Sequence, residues 1–234
     1  MIAAVVPGVL PYASDRVLDL FHQPIVDVTD VIGSTPGLRE AAADLVPAEP
    51  ADVRHDPRFV PAGYALTEIT LEGKRSAAVS VLDATVEVEA RLPPRRGTLY
   101  SIPPQGETNN SIVDLDLDAP LPVLAAPGGA GPYFVGRHIT VDRGELWVID
   151  VQSRTTRHEY AWRLHLRLRY RGADHELVVP PAGRPPFRMT AFVAPGDYRQ
   201  QYAWNLQGQL VAHDCAAARA ACAATELPKV KPPA

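Results

Sequence analysis

A chain of 234 residues that is 46% hydrophobic has enough apolar material for a sizeable core, which excludes a wholly disordered chain. Its formal charge of −4, from 23 basic and 27 acidic residues, argues against a general nucleic-acid binder. The 24 prolines are about twice ordinary usage; they break helices and end strands, so many short elements are expected.

No run approaches the ~18–20 apolar residues of a membrane-crossing helix. The N-terminal MIAAVVPGVLPYA is apolar, but Pro7, Gly8 and Pro11 interrupt it and the basic flank of a signal peptide is missing. It reads either as a segment that docks on the domain or as the trailing end of a membrane anchor. Membrane contact is therefore expected only through a segment this chain lacks.

Residues 1–60 read as helical and irregular. Ser14 is a good N-cap for a helix carrying Val17, Leu18, Leu20 and Phe21, stopped by Pro24. Thr35 and Pro36 suit the start of a second helix through Leu38, Ala41, Ala42 and Leu45, ended by Pro47. The proline-rich PAEPADVRHDPRFVP of residues 47–61 marks the boundary.

From 61 to 205 the signal is strands. They are expected at Tyr64–Leu71, Ala78–Leu92, Ser111–Leu117, Phe134–Val141, Glu145–Gln152, His158–Tyr170, Glu176–Val179 and Phe187–Val193. Turn residues separate them at Glu72-Gly73, Asp142-Arg143-Gly144, Arg171-Gly172 and Pro195-Gly196-Asp197. With no crossover helices in the pattern, the expected fold is all-β: an antiparallel sandwich, jelly-roll or immunoglobulin-like, with short N-terminal helices.

Residues 206–234 are expected to hold a C-terminal helix of about a dozen residues from Asp214, then a disordered tail. Cys215 and Cys222 lie seven apart in that stretch. On an intact helix their Cα atoms would be roughly 10 Å apart. A disulfide requires about 7 Å or less. Helix and bond exclude each other, and the sequence leaves both open, as buried thiols or as a bond made in an oxidising compartment.

One strand stands out chemically. In EYAWRLHLRLRY, Tyr160, Trp162, Leu164, Leu166, Leu168 and Tyr170 share one face, while Arg163, His165, Arg167 and Arg169 share the other. The second face is too basic to bury unpaired. Asp114, Asp116 and Asp118 form an acidic row elsewhere. The two strands are expected to share a sheet face, where facing rows of opposite charge would help set their register. Otherwise the arginine face becomes a surface for an anionic ligand or a protein. The three aspartates are also weak metal candidates, because alternation holds them ~7 Å apart without a ligand loop. The histidines show no metal-ligand spacing, and no nucleophile elbow, phosphate loop or dinucleotide fingerprint is present, so no cofactor is expected. The aromatic residues Trp147, Tyr160, Trp162, Tyr202 and Trp204 suit a sandwich core better than a sugar platform.

Three segments carry a resemblance: ARLPPRRGTLYSIPPQGETNNSIVDLDLDAP, PYFVGRHITVDRGELWVIDVQSRTTRHEYAWRLHLRLRYRG and PPFRMTA. Their order and spacing resemble the extracytoplasmic C-terminal β-rich regions of single-pass, helix-turn-helix-linked membrane proteins of GC-rich bacteria. The likeness rests on Asp116, Asp118, Pro132-Tyr133-Phe134 and Pro186-Phe187, and spans about residues 75–193. No helix-turn-helix is visible in this chain. The resemblance implies an extracytoplasmic location and a sensing or interaction role, without naming a ligand. The expectation is a non-enzymatic module; the alternative is a cytoplasmic enzyme or metal-binding β-protein with a loop-built site.

Overall fold

The computed structural model describes residues 25–34, 39–46, 53, 56–101, 113–204 and 210–224. The helix expected after Ser14, His22, His55 and the tail after Ala224 lie outside them. The described residues are all-β apart from one short helix and two 3-10 turns. In chain order the first strands are β1 (Val26–Ser34), β2 (Arg39–Ala42), β3 (Phe59–Pro61), β4 (Tyr64–Gly73) and β5 (Val79–Leu92). Then come β6 (Thr98–Ser101), β7 (Val113–Asp116), β8 (Leu124–Ala125), β9 (Ile139–Val141) and β10 (Leu146–Arg154). The last are β11 (Glu159–Tyr170), β12 (Ala173–Val179), β13 (Phe187–Met189), β14 (Gln200–Trp204) and β15 (Leu210–Asp214), followed by α1 (Arg219–Ala224).

They form three sheets. The first runs β1-β4-β10-β7-β8, the second β12-β11-β5-β9 with β13 also on β11, and the third β15-β14-β6-β2-β3. All pairings are antiparallel except β7 with β10 and β6 with β14. One apolar cluster draws on both the first and second sheets. Ile69, Leu71, Leu115, Ile149 and Val151 meet Val79, Val81, Tyr160, Trp162, Leu164, Leu166 and Leu168. Each fully buried large side chain stabilises by about 1.5–3 kcal/mol, so the even positions of β11 are a principal source of core energy. Trp162 rests on Phe187 at 4.6 Å between ring centroids.

One expected helix is replaced by a strand and another is shortened. Where a helix was expected after Thr35, residues 39–42 form β2, and the stretch expected to be helical and irregular contributes β1, β2 and β3. Ala41 packs with Ala62, Leu99 and Tyr198 on one face, and Ala42 with Phe59, Tyr100 and Tyr202 on the other. Alanine's helical preference is worth only tenths of a kcal/mol per residue, so burial on both faces and ladders to β3 and β6 override it. The chain before β6 closes up on the end of β2 because residue 97 is glycine: a Cβ there would lie 2.3 Å from the carbonyl oxygens of Ala43 and Asp44.

At the other end, Leu210–Asp214 is strand and the helix is only Arg219–Ala224. Between them the Asp214 carboxylate accepts the N–H groups of Ala216 and Ala217, at 3.0 and 3.1 Å. This turn brings the Cys215 and Cys222 Cα atoms to 5.6 Å, and the two sulfurs are bonded. The disulfide excludes the longer helix for the geometric reason given above.

Candidate functional site

β11 and β12 are joined by a two-residue turn with Arg171 at φ 49° and Gly172 at φ 82°. Such a tight hairpin fixes the register, placing Arg169 opposite Asp174 and Arg167 opposite Glu176. On its other side β11 pairs with β5, which places Arg163 opposite Glu87 and Arg167 opposite Asp83. The outward face of the second sheet is thus a basic strand between two acidic ones.

Every predicted arginine of that face is in an ion pair, and His165 lies between two carboxylates. Arg169 grips Asp174 with two hydrogen bonds, Nε to Oδ1 at 2.7 Å and Nη2 to Oδ2 at 3.1 Å. That contact raises the guanidinium pKa and lowers the carboxyl's. Arg167 stands 3.9 Å from Asp83 and 3.8 Å from Asp174, beyond hydrogen-bond reach. Arg163 pairs with Glu89 and donates to the carbonyls of Pro180 (2.8 Å), Pro181 (3.2 Å) and Arg184 (2.7 Å). His165 bridges Glu176 and Glu87, and its pKa is raised chiefly by the hydrogen bond to Glu176. A hollow of about 370 Å³ opens on this face, lined by Asp83, His165, Arg167, Asp174, His175 and Glu176 among others.

The aspartate row does not meet the arginine row. β7 lies in the first sheet, beside β10 and away from β11. Asp116 pairs with Arg154 at 3.1 Å, and Asp114 accepts the Gly128 N–H at 3.3 Å. Asp118 accepts from the Thr155 hydroxyl, both the amide and hydroxyl of Thr156, and the Tyr160 hydroxyl, at 2.7–3.1 Å. Burial works against its ionisation, but those four hydrogen bonds outweigh it and hold its pKa down. The expectation that the two rows set each other's register is therefore wrong: the acids come from β5 and β12. The aspartates do not converge as metal ligands either, and among the described residues no group of three or more His, Cys, Asp or Glu side chains could hold an ion.

Comparison of the chain with protein-family models, curated proteins and solved structures gives no match. His158 stacks edge-on against Tyr160, and its buried Nδ1 has no hydrogen-bond partner. Trp162, Tyr160 and Tyr202 are core residues.

One cluster went unnoticed in the sequence. Arg95, from the β5–β6 connection, holds Glu159 at the start of β11 through two hydrogen bonds, 2.8 and 3.0 Å. It also donates to the Arg58 carbonyl at 2.5 Å, and its backbone N–H reaches the Thr190 hydroxyl at 3.0 Å. Arg188 on β13 pairs with the same carboxylate. Burial raises the Glu159 pKa, but the two guanidinium groups more than reverse this and hold it low. ARLPPRR contains three arginines at positions 91, 95 and 96, and nothing local distinguishes Arg95 from the others.

Proposed function

We propose that the chain is a non-enzymatic interaction or sensing module on the outer side of a cytoplasmic membrane. The first and second sheets would form a β-sandwich, antiparallel but for the β7–β10 pair, with the face of β5, β11 and β12 as contact surface. One observation carries the reading: that face is broad, exposed and striped acidic, basic, acidic across three strands. A rigid charge pattern of this kind gives a partner orientation and a fast encounter.

The pairing alters the partner that the arginines alone suggested. Asp83, Glu87, Glu89, Asp174 and Glu176 outnumber Arg163, Arg167 and Arg169, so a protein surface with charges of both signs fits better than a bare anion. The Cys215–Cys222 bond supports an oxidising location. The apolar cluster shared by two sheets supports the sandwich.

The test is a photo-crosslinking amino acid placed at Arg167 on the face or at Leu121, which is 82% exposed elsewhere. A partner captured from position 167 only, and lost at high salt, is expected. Equal capture from both positions would dismiss this face. Thiol trapping in intact cells should find Cys215 and Cys222 bonded; free thiols there would dismiss the location.

A further inference from the structure

Both ring nitrogens of His165 face a carboxylate. Nε2 lies 2.6 Å from Glu87 on β5, and Nδ1 lies 2.9 Å from Glu176 on β12. A neutral imidazole has one N–H and one lone pair, so it can donate to only one of these partners. At the other contact its lone pair would confront a negatively charged oxygen. Only the imidazolium donates to both.

We propose that His165 is a proton-dependent clasp: charged, it ties both β5 and the edge strand β12 to β11, and on losing its proton it releases one carboxylate. The groups around it leave it this role. From β5, Asp83 and Glu89 share the face; from β12, Asp174 on the face and His175 in the wall of the same hollow; from β11 itself, Arg163 and Arg167. Arg163 is occupied by Glu89 and three carbonyls, and Arg169 by Asp174. Arg167 stands nearest Asp83 and Asp174. Glu87 and Glu176 thus have His165 as their cation. Five carboxylates against three guanidinium groups give the face a formal charge of −2, which protonation of His165 brings to −1. Deprotonation doubles the net negative charge of the face while it loosens its edge.

The sign is fixed by the raised pKa. The clasp is fully closed below the ordinary histidine value of about 6.5, and it opens as pH climbs through the higher folded value. An acidified exterior closes it. The clasp takes the contact face proposed above as its setting, yet a titration of the free protein tests it whether or not a partner binds.

The experiment is an NMR titration of the histidine ring nitrogens in the full chain, with amide exchange followed along β12. His165 should be doubly protonated near pH 6 and titrate above the ordinary value of about 6.5. Glu87→Gln and Glu176→Gln should each lower its midpoint; both positions are exposed at the surface, so the fold should survive. Exchange at β12 amides, corrected for intrinsic rate, should rise about two- to five-fold across the midpoint. That step should vanish in His165→Gln. A single neutral tautomer near pH 6, a midpoint that neither glutamine variant moves, or β12 exchange that ignores the titration would each overturn the clasp. A clasp that titrates as expected in a protein whose face captures no partner would sink the interaction reading alone.

Discussion

Arg95 and Glu159 meet through two near-parallel hydrogen bonds in a site where both side chains are less than a tenth exposed. The pair is an inter-sheet joint. Glu159 begins β11 of the second sheet, while Arg95 also donates to the carbonyls of Arg58, just before β3, and, at 3.5 Å, of Ala41 on β2 of the third. Removing Glu159 leaves the Arg95 charge buried without its carboxylate, at a cost of about 3–5 kcal/mol. Glu159→Ala should therefore shift the urea midpoint strongly. The double variant Arg95→Met with Glu159→Leu should recover most of the loss, because an apolar pair of similar volume escapes the desolvation penalty. A double variant no better than the single would show that the carbonyl contacts, rather than the charge pair, hold the joint.

The same carboxylate sets an acid limit. Its folded pKa is depressed, so its contribution is complete above the unfolded value of about 4.3 and fades as pH falls through the folded value. Asp118, held low by its four hydrogen bonds, has the same sign. Stability should decline steadily below about pH 4.3, and Glu159→Gln and Asp118→Asn should each flatten part of that decline. Unfolding free energies measured at a series of acidic pH values would check it.

Along β11, neighbours should behave oppositely. Leu166 has no exposed surface and sits in the two-sheet core, whereas Arg167 is half exposed with its acids at nearly 4 Å. Leu166→Ala should cost about 2–5 kcal/mol, and Arg167→Ala should stay within about 0.5 kcal/mol of the parent. Thermal or urea unfolding of the two variants decides it.

The contrast explains what could be read beforehand. β11 was legible because one buried face writes a period of two into twelve residues. β1 was not, because a register shift between Val28 and Asp30 breaks its alternation. β2 looked helical because alanine's local preference says nothing of the strands that flank it. The Arg169–Asp174 pair follows from the two-residue turn. The His165–Glu87 contact does not, since it spans 78 residues and two further shifts lie within the β5–β11 pairing. Nor could the sequence say that the aspartates of β7 belong to a different sheet from the arginines they were matched with.

The last prediction concerns the bond that decided between helix and loop. Cys215 and Cys222 are both buried, and they close a short loop that runs from the end of β15 into α1. α1 packs against the 3-10 turn Pro195–Asp197, where Arg219 pairs with Asp197. Cross-linking a loop this short constrains the unfolded chain by about 2–3 kcal/mol. Replacing both cysteines by serine should lose that amount, and reducing the parent should lose the same amount without adding to the substitution. The effect should concentrate at β15 and the adjoining end of β14, read as faster amide exchange there, with β11 and β5 little changed. Reduction that loosens all three sheets equally would instead make the bond a global constraint.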